Sequence, residues 1–262
     1  MKIDASVPNA ARVYDYFLGG KDNFAVDREL AQKILGVLPD TADVCRDNRE
    51  FLQRAVRFLA GEAGITQFLD IGSGLPSMGN VHEVAQAAAP GARVAYVDYD
   101  PVVLSHARAL LANGRDVVAV EGDLRSPEAI LANERMRQLL DFSQPVAVLL
   151  VAVLHFVSDA DRPYDAVRTL MDALPSGSYL VVSQSTPDDV SDDVTEAMKD
   201  VYSNASAQVT PRKYEEVARF FDGLELTEPG LVNVTRWRPD PRPRPSRSEG
   251  RSLIYGAVAR KP

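Results

Sequence analysis

The stretch Gln67-Phe68-Leu69-Asp70-Ile71-Gly72-Ser73-Gly74-Leu75-Pro76 constrains the fold of this chain more than any other. It reads as a short buried strand that ends on an acid and runs into a tight glycine turn. A helical pattern opens just beyond, at Asn80-Val81-His82-Glu83-Val84-Ala85. Strand, glycine turn and helix make the first unit of a nucleotide-binding α/β fold. Glycine lets the chain turn sharply and leaves no Cβ between backbone and ligand. The helix start adds unpaired N–H groups at the same place.

The turn is not of the dinucleotide type. G-x-G-x-x-G requires glycine where Ser77 stands. Asp70 would also repel a pyrophosphate lying against the turn. A carboxylate there suits a cationic ligand with an amino group, and S-adenosylmethionine carries both a sulfonium and an α-ammonium. The alternative is that Asp70 only braces the loop by accepting backbone N–H bonds.

Before the turn, residues 1–62 read as helical in three pieces, over 9–18, 24–38 and 43–59. Gly19-Gly20, Pro39 and Gly61 with Gly64 end them. After it, strands over 67–71, 93–97, 117–120, 146–153 and 179–183 alternate with helices over 80–89, 101–112, 127–140 and 161–174. Ser126 stands as the N-cap of the helix over 127–140. Helices over 190–203 and 213–221 follow, and 224–226 with 231–234, and 253–258, supply the last strands. The unbroken apolar run from 146 marks a central strand buried on both faces. Such alternation predicts an α/β fold with a doubly wound, mostly parallel sheet. The domain organisation expected is a helical extension or lid over residues 1–62 and a ligand-binding domain over 63–262. The biased stretch 238–248 opens with alternating Arg238-Pro239-Asp240-Pro241-Arg242-Pro243-Arg244-Pro245 and favours polyproline II. It reads as a solvated loop, with a partner-docking segment as the alternative.

Composition excludes several classes. Of 262 residues, 45% are hydrophobic and 25% charged, ordinary for a globular protein, and the formal net charge of −8 opposes nucleic-acid binding through phosphates. A single cysteine, Cys45, rules out a disulfide framework, and no metal site is expected. Met1-Lys2-Ile3-Asp4-Ala5 lacks the apolar core of a signal peptide, and the longest apolar run, 146–157, is interrupted by His155 and too short to span a bilayer. A cytoplasmic protein with no membrane partner is expected.

Four strand ends carry chemistry-bearing residues. The first ends in Asp70. The second ends in Asp98, followed by Tyr99 and Asp100; an acid there is placed to accept two ribose hydroxyls. The third runs into Gly122-Asp123-Leu124, where an acid can meet an adenine amino group and Leu124 can pack the ring. The fourth ends in Ala152-Val153-Leu154-His155-Phe156. Taken singly, each acid reads equally as a helix cap or turn residue, and His155 as a packing histidine.

Asp70-Ile71-Gly72-Ser73-Gly74, Val94-Ala95-Tyr96-Val97-Asp98, Glu121-Gly122-Asp123 and residues 149–156 together resemble the successive motifs of class I S-adenosylmethionine-dependent methyltransferases, over about residues 65–260. A narrower resemblance spans nearly the whole chain. It rests on Asn9-Ala10-Ala11-Arg12-Val13-Tyr14-Asp15-Tyr16, Gly19-Gly20-Lys21-Asp22-Asn23-Phe24, Asn80-Val81-His82-Glu83 and Val153-Leu154-His155-Phe156. These are similar to a bacterial family described only as S-adenosyl methyltransferase. The resemblance implies a seven-stranded methyltransferase-like sheet, S-adenosylmethionine as cofactor, and an acceptor of unspecified identity. One departure is Pro76, which stands where the superfamily pattern has its third glycine.

On that reading Asp70, Gly72, Ser73 and Gly74 hold the methionine end. Asp98 and Asp100 lie at the ribose, Tyr99 and Leu124 flank the adenine, Gly122 and Asp123 lie at its amino group, and Ala152 and Val153 line the crevice. Tyr14, Gly19, Gly20 and Asn23 form part of a lid with Gly19-Gly20 as a flexible joint, or else only a helix C-cap. Arg49 pairs with the cofactor carboxylate. His155 or Tyr14 is the candidate base for a small-molecule acceptor. The alternatives are a cofactor-binding module without transferase activity and, less well matched to the turn, a nucleotide-binding oxidoreductase.

Overall fold

Apolar residues follow one another along the central strands, and successive side chains enter opposite faces, so both faces of one sheet are buried. Leu69, Ile71, Val97, Val148, Leu150 and Val182 enter one core, and Phe68, Val94, Leu149, Val181 and Val258 enter the other. The computed structural model describes residues 5–76, 79–110, 115–203, 205, 208–241, 251 and 253–262, with residue 110 described in its backbone alone. The strands are β1 (Gln67–Ile71), β2 (Arg93–Asp98), β3 (Val117–Glu121), β4 (Ala147–Val151), β5 (Tyr179–Ser185), β6 (Glu225–Leu226), β7 (Val232–Asn233) and β8 (Ile254–Arg260). The helices are α1 (Ala10–Phe17), α2 (Ala25–Val37), α3 (Thr41–Gly61), α4 (Val81–Ala88), α5 (Pro101–Leu110), α6 (Pro127–Leu131), α7 (Glu134–Leu139), α8 (Pro163–Asp172), α9 (Asp192–Tyr202) and α10 (Tyr214–Ala218).

The sheet runs β3-β2-β1-β4-β5-β8-β6, with β7 also paired to β8. β1 to β5 are parallel, and β8 enters antiparallel to β5. Strand order reverses between β1 and β4, which leaves a crevice at their carboxyl ends. Eight strands form where seven were expected. The two-residue β6 and β7 pair with different ends of β8, at Ala259–Arg260 and Tyr255–Gly256 respectively, and so stay separate.

Other expectations are corrected locally. The single helix over 127–140 is two short helices, because Asn133 caps the second by accepting the Met136 N–H at 3.2 Å. Ser126 precedes the first of them but makes no side-chain cap bond. The fourth strand stops at Val151, since Ala152 adopts a left-handed conformation (φ 56°) that a strand cannot continue.

The division at residue 62 separates stretches of chain, and the core crosses it. Phe51, Leu52, Ala55, Val56 and Leu59 of α3 share one core with the sheet, and Trp237 packs edge-on against Phe51 at 5.5 Å. Buried Arg54 ties α3 to the same region, donating to the carbonyls of Trp237 (2.9 Å) and Val234 (2.6 Å). By contrast α1 and α2 pack mostly in a smaller cluster with Cys45 and with Tyr202 of α9. Arg238, at the start of the biased stretch, lies over the Phe58 ring at 4.0 Å and pairs with Glu62. Residues 242–248 of that stretch lie outside the described residues, as do Ser77 and positions 111–112 of the expected helix over 101–112. Among the described residues no helix is long and apolar enough to cross a membrane.

Candidate cofactor crevice and adjoining chamber

A crevice of about 400 Å³ opens at the carboxyl ends of β1, β2, β3 and β4. The glycine turn after β1 forms its floor. Gly72 sits at φ 72° beneath Val153, where a Cβ would come within 2.3 Å of that side chain. Gly74, at φ 66°, has open space where a Cβ would point, so its backbone is bare to whatever lies in the crevice.

Asp98 holds this turn in place. One of its carboxylate oxygens accepts the Gly74 N–H at 2.9 Å and the other accepts the Asp100 N–H at 2.9 Å. Burial pushes this carboxyl up to about 6 against the pull of those two N–H groups and of the Tyr99 N–H. Asp100 in turn caps α5, accepting the Val102 N–H at 2.6 Å. The bracing alternative raised for Asp70 is therefore carried out by Asp98.

Asp70 is buried, lines the crevice and accepts no hydrogen bond from any described residue. Desolvation raises its carboxyl to about 7; Arg49 pulls it down and Asp98 pushes it further up. Arg49, from α3, also lines the crevice, and its Nε is buried without a partner while Nη2 donates to Asn80 at 3.3 Å. An acid lacking donors and a guanidinium N–H lacking an acceptor thus border one space.

At the other end, Tyr99, Gly122, Asp123 and Leu124 line the wall after β2 and β3. Asp123 is clasped by Arg125, two residues on, through Nε and Nη2. Partial burial raises the Asp123 carboxyl, but the Arg125 bonds outweigh that and hold it below its ordinary value.

The N-terminal helix forms the opposite wall: Asn9, Ala11, Tyr14, Asp15 and Leu18 face the crevice from α1 and its caps. Of the residues expected in a lid, α1 brings Tyr14 to the crevice, and three others are corrected. Gly19, Gly20 and Asn23 do not line the crevice. The N–H groups of Gly19 and Gly20 cap α1 by donating to Tyr16 and Asp15 carbonyls, and Asn23 donates to the Asp15 carboxylate at 2.8 Å. A Cβ on Gly20 would collide with Asp15, whereas Gly19, at φ 80°, has open space there; the pair serves as the C-terminal cap of α1.

The two candidate bases are corrected as well. Tyr14 borders the crevice, but its hydroxyl donates to the Cys45 carbonyl at 2.9 Å and accepts from Asn48 at 3.0 Å. Burial drives its phenol far above the ordinary value, so it keeps its proton. His155 does not line the crevice. It lies in the wall of a second, smaller cavity alongside, and desolvation with the charge of Arg212 lowers its imidazole to about 3. It is a neutral hydrogen-bonding group at neutral pH.

Asn48 was missed by sequence reasoning. It accepts from the Ser183 hydroxyl (2.6 Å), which itself accepts the Ala152 N–H (2.9 Å), so one buried chain of bonds joins α1, α3, β5 and the end of β4. The available signal was an asparagine four residues after Val44 and four before Leu52, on the apolar stripe of an amphipathic helix.

Sheet order, the bare glycine turn and acids at three successive strand ends define a class I methyltransferase-like domain. The chain matches the family described as S-adenosyl methyltransferase over residues 1–262, and it belongs to that family. It is similar to a DUF574 family protein of Streptomyces avermitilis, at 41% identity and a TM-score of 0.93, covering 100% of both chains. It is also similar to a Thermobifida fusca protein provisionally described as a methyltransferase, at 45% identity and a TM-score of 0.90, covering 98% of this chain and 96% of that one. The N-methyltransferase NodS of Bradyrhizobium japonicum shares the fold, at 14% identity and a TM-score of 0.52 over 84% of this chain and 97% of its own. The search of curated proteins gives no match.

Proposed function

We propose that the chain is an S-adenosylmethionine-dependent methyltransferase acting on a small-molecule acceptor. The observation that carries the reading is the pairing of Asp70 and Arg49 beside the bare backbone of Gly74. A carboxylate without donors and a buried guanidinium N–H without an acceptor match the ammonium and carboxylate of an amino acid. Asp98 would take the ribose hydroxyls, and Tyr99 with Leu124 would flank the base. When bound, the cofactor supplies a methyl group on a sulfonium, and transfer leaves a neutral thioether.

The protein's own task is then alignment and exclusion of water. α1 closes one side of the crevice, and the Tyr14–Asn48–Ser183–Ala152 bonds hold that helix against the strand ends. No strong base is required of the side chains described here.

Two measurements test the reading. Calorimetry should show S-adenosylmethionine and S-adenosylhomocysteine binding far more tightly than NAD or ATP. Asp98→Asn should weaken cofactor binding roughly 10- to 150-fold, the value of about 1.5–3 kcal/mol for a charged hydrogen bond. Preference for NAD, or an unchanged Kd in a folded Asp98→Asn variant, would overturn it. Neither Tyr14 nor His155 is poised as a base, which favours as a second reading a cofactor-binding module without turnover. Accumulation of S-adenosylhomocysteine on incubation with a metabolite extract separates the two.

Asp70 gives the binding a pH signature. Its carboxyl titrates near 7 in the ligand-free protein, and only the ionised form attracts an ammonium. Cofactor affinity should therefore rise between about pH 6 and about pH 7.5, with a proton released on binding at the lower end. Ligand-free stability moves the other way. A raised carboxyl contributes stability below its ordinary range and loses it as pH rises through about 7. Titrations in buffers of different ionisation enthalpy read the released proton, and a flat profile would remove Asp70 from contact with the ammonium.

A further inference from the structure

Beside the crevice lies a second cavity of about 150 Å³. The two share Ala10, Tyr14, Asn48, Ala152 and Phe156 in their walls. The rest of the smaller one is mainly apolar: Val13 and Phe17 from α1, Cys45 from α3, Met198 and Tyr202 from α9, and Ile254 from β8. Among the described residues no aspartate, glutamate or arginine lines it, and its one lysine, Lys199, is exposed.

Among the polar side chains of this wall, two buried atoms stand out. His155 Nδ1 and Ser185 Oγ are buried and have no hydrogen-bond partner, although nearly all such groups in folded proteins are paired. Nothing in the adjacent core explains them. A ligand bearing a hydroxyl or amine would pair with them.

We propose that this chamber holds the methyl acceptor, and that the acceptor is an uncharged, mainly apolar molecule about one aromatic ring in size that carries a hydroxyl or amine. The assignment to methyl transfer rests on the reading given under Proposed function. Size follows from the volume, since about 150 Å³ of space walled mainly by apolar side chains is room for about one aromatic ring. Neutrality follows from the lining, because a buried ion without a counter-charge is strongly disfavoured. Position follows from the shared wall, where Ala152 and Tyr14 stand between the chamber and the strand ends. The buried thiol of Cys45 and the phenol of Tyr202 belong to the same wall and stay protonated, which adds no charge.

The full chain, with and without S-adenosylhomocysteine, would be titrated by ligand-observed NMR with 4-bromophenol and with 4-hydroxybenzoate. Binding of 4-bromophenol, roughly ten-fold or more tighter than that of the carboxylate, is expected. Met198→Trp, which fills the chamber, should abolish it and leave S-adenosylhomocysteine binding intact. No binding of 4-bromophenol, equal affinity for 4-hydroxybenzoate, or undiminished affinity in a folded Met198→Trp variant would overturn the proposal. If that variant fails to fold, anomalous scattering from wild-type crystals soaked with 4-bromophenol decides. Bromine between Tyr202 and Ser185 supports the proposal, and bromine only elsewhere overturns it. Absence of S-adenosylhomocysteine binding in the wild type, with 4-bromophenol still bound, would instead sink the methyltransferase reading and the acceptor role with it.

Discussion

Asp27→Ala is expected to cost about 3–5 kcal/mol of stability, the usual penalty for removing one partner of a buried ion pair. Arg12 Nε lies 2.8 Å from Asp27 Oδ2, with side chains only 3% and 0% exposed. Asp27 also accepts the N–H of Asn9 at 2.9 Å and that of Phe24 at 2.8 Å. The substitution leaves the buried guanidinium, which still donates to the Val7 carbonyl at 2.6 Å, without its counter-charge, and takes the acceptor from the N–H groups of Asn9 and Phe24. The damage should begin locally, because α1 and α2 pack chiefly in their own cluster with Cys45 and Tyr202. Hydrogen exchange is expected to rise first in α1 and α2, and cofactor binding should weaken with it, since α1 walls the crevice. Denaturant unfolding measures the loss. A cost below about 1 kcal/mol, typical of an exposed pair, would show that the pair does not fasten α1.

Arg212→Met is the second large effect. Arg212 is 1% exposed; its guanidinium donates to the carbonyls of Leu154 and Val157, both at 2.8 Å, and to Asp159 at 2.8 Å. It therefore pins the loop after β4, which carries His155 and Phe156, to the segment before α10, whose Arg212 N–H in turn donates to the Ser185 carbonyl at the end of β5. Methionine keeps much of the volume against Phe220 but offers no donor. The Val157 carbonyl is left unpaired at roughly 1–3 kcal/mol, and the Leu154 carbonyl, which still accepts the Val157 N–H at 3.1 Å, loses a bond of about 0.5–1.5 kcal/mol, so a loss of about 1.5–4.5 kcal/mol is expected. Its charge also holds the His155 imidazole down, so that imidazole should titrate higher in the variant. Unfolding and a histidine NMR titration read the two effects. Unchanged stability would mean that water replaces the guanidinium in the loop.

The strand–turn–helix unit was legible in the sequence because its signals are local. Short apolar runs, a glycine pair and the helical pattern from Asn80 act over a few residues each, and β1, β2, β4 and β5 fall close to their expected positions. Asp70, Asp98 and Asp123 were legible for the same reason, since strand ends in a parallel sheet converge at one edge. Asn48 and Ser183 were not, because the bonds that give them meaning join residues 135 positions apart. Nor were Gly19, Gly20 and Asn23 distinguishable as a cap from a lid, since both uses select glycine and asparagine.

The sequence by itself determined the α/β class, the parallel sheet and the acids at its edge, because hydrophobic period and turn chemistry are properties of neighbouring residues. Tertiary structure alone decided which groups lack partners and what state they hold. Asp70 near 7 and His155 near 3 follow mainly from desolvation, and both that and the lack of an acceptor at Arg49 Nε depend on what the packed elements place beside each group. It also decided that α1 covers the crevice while a second chamber opens beside it. That outcome depends on Arg12 finding Asp27 and Tyr14 finding Asn48, pairings between helices that no periodicity records.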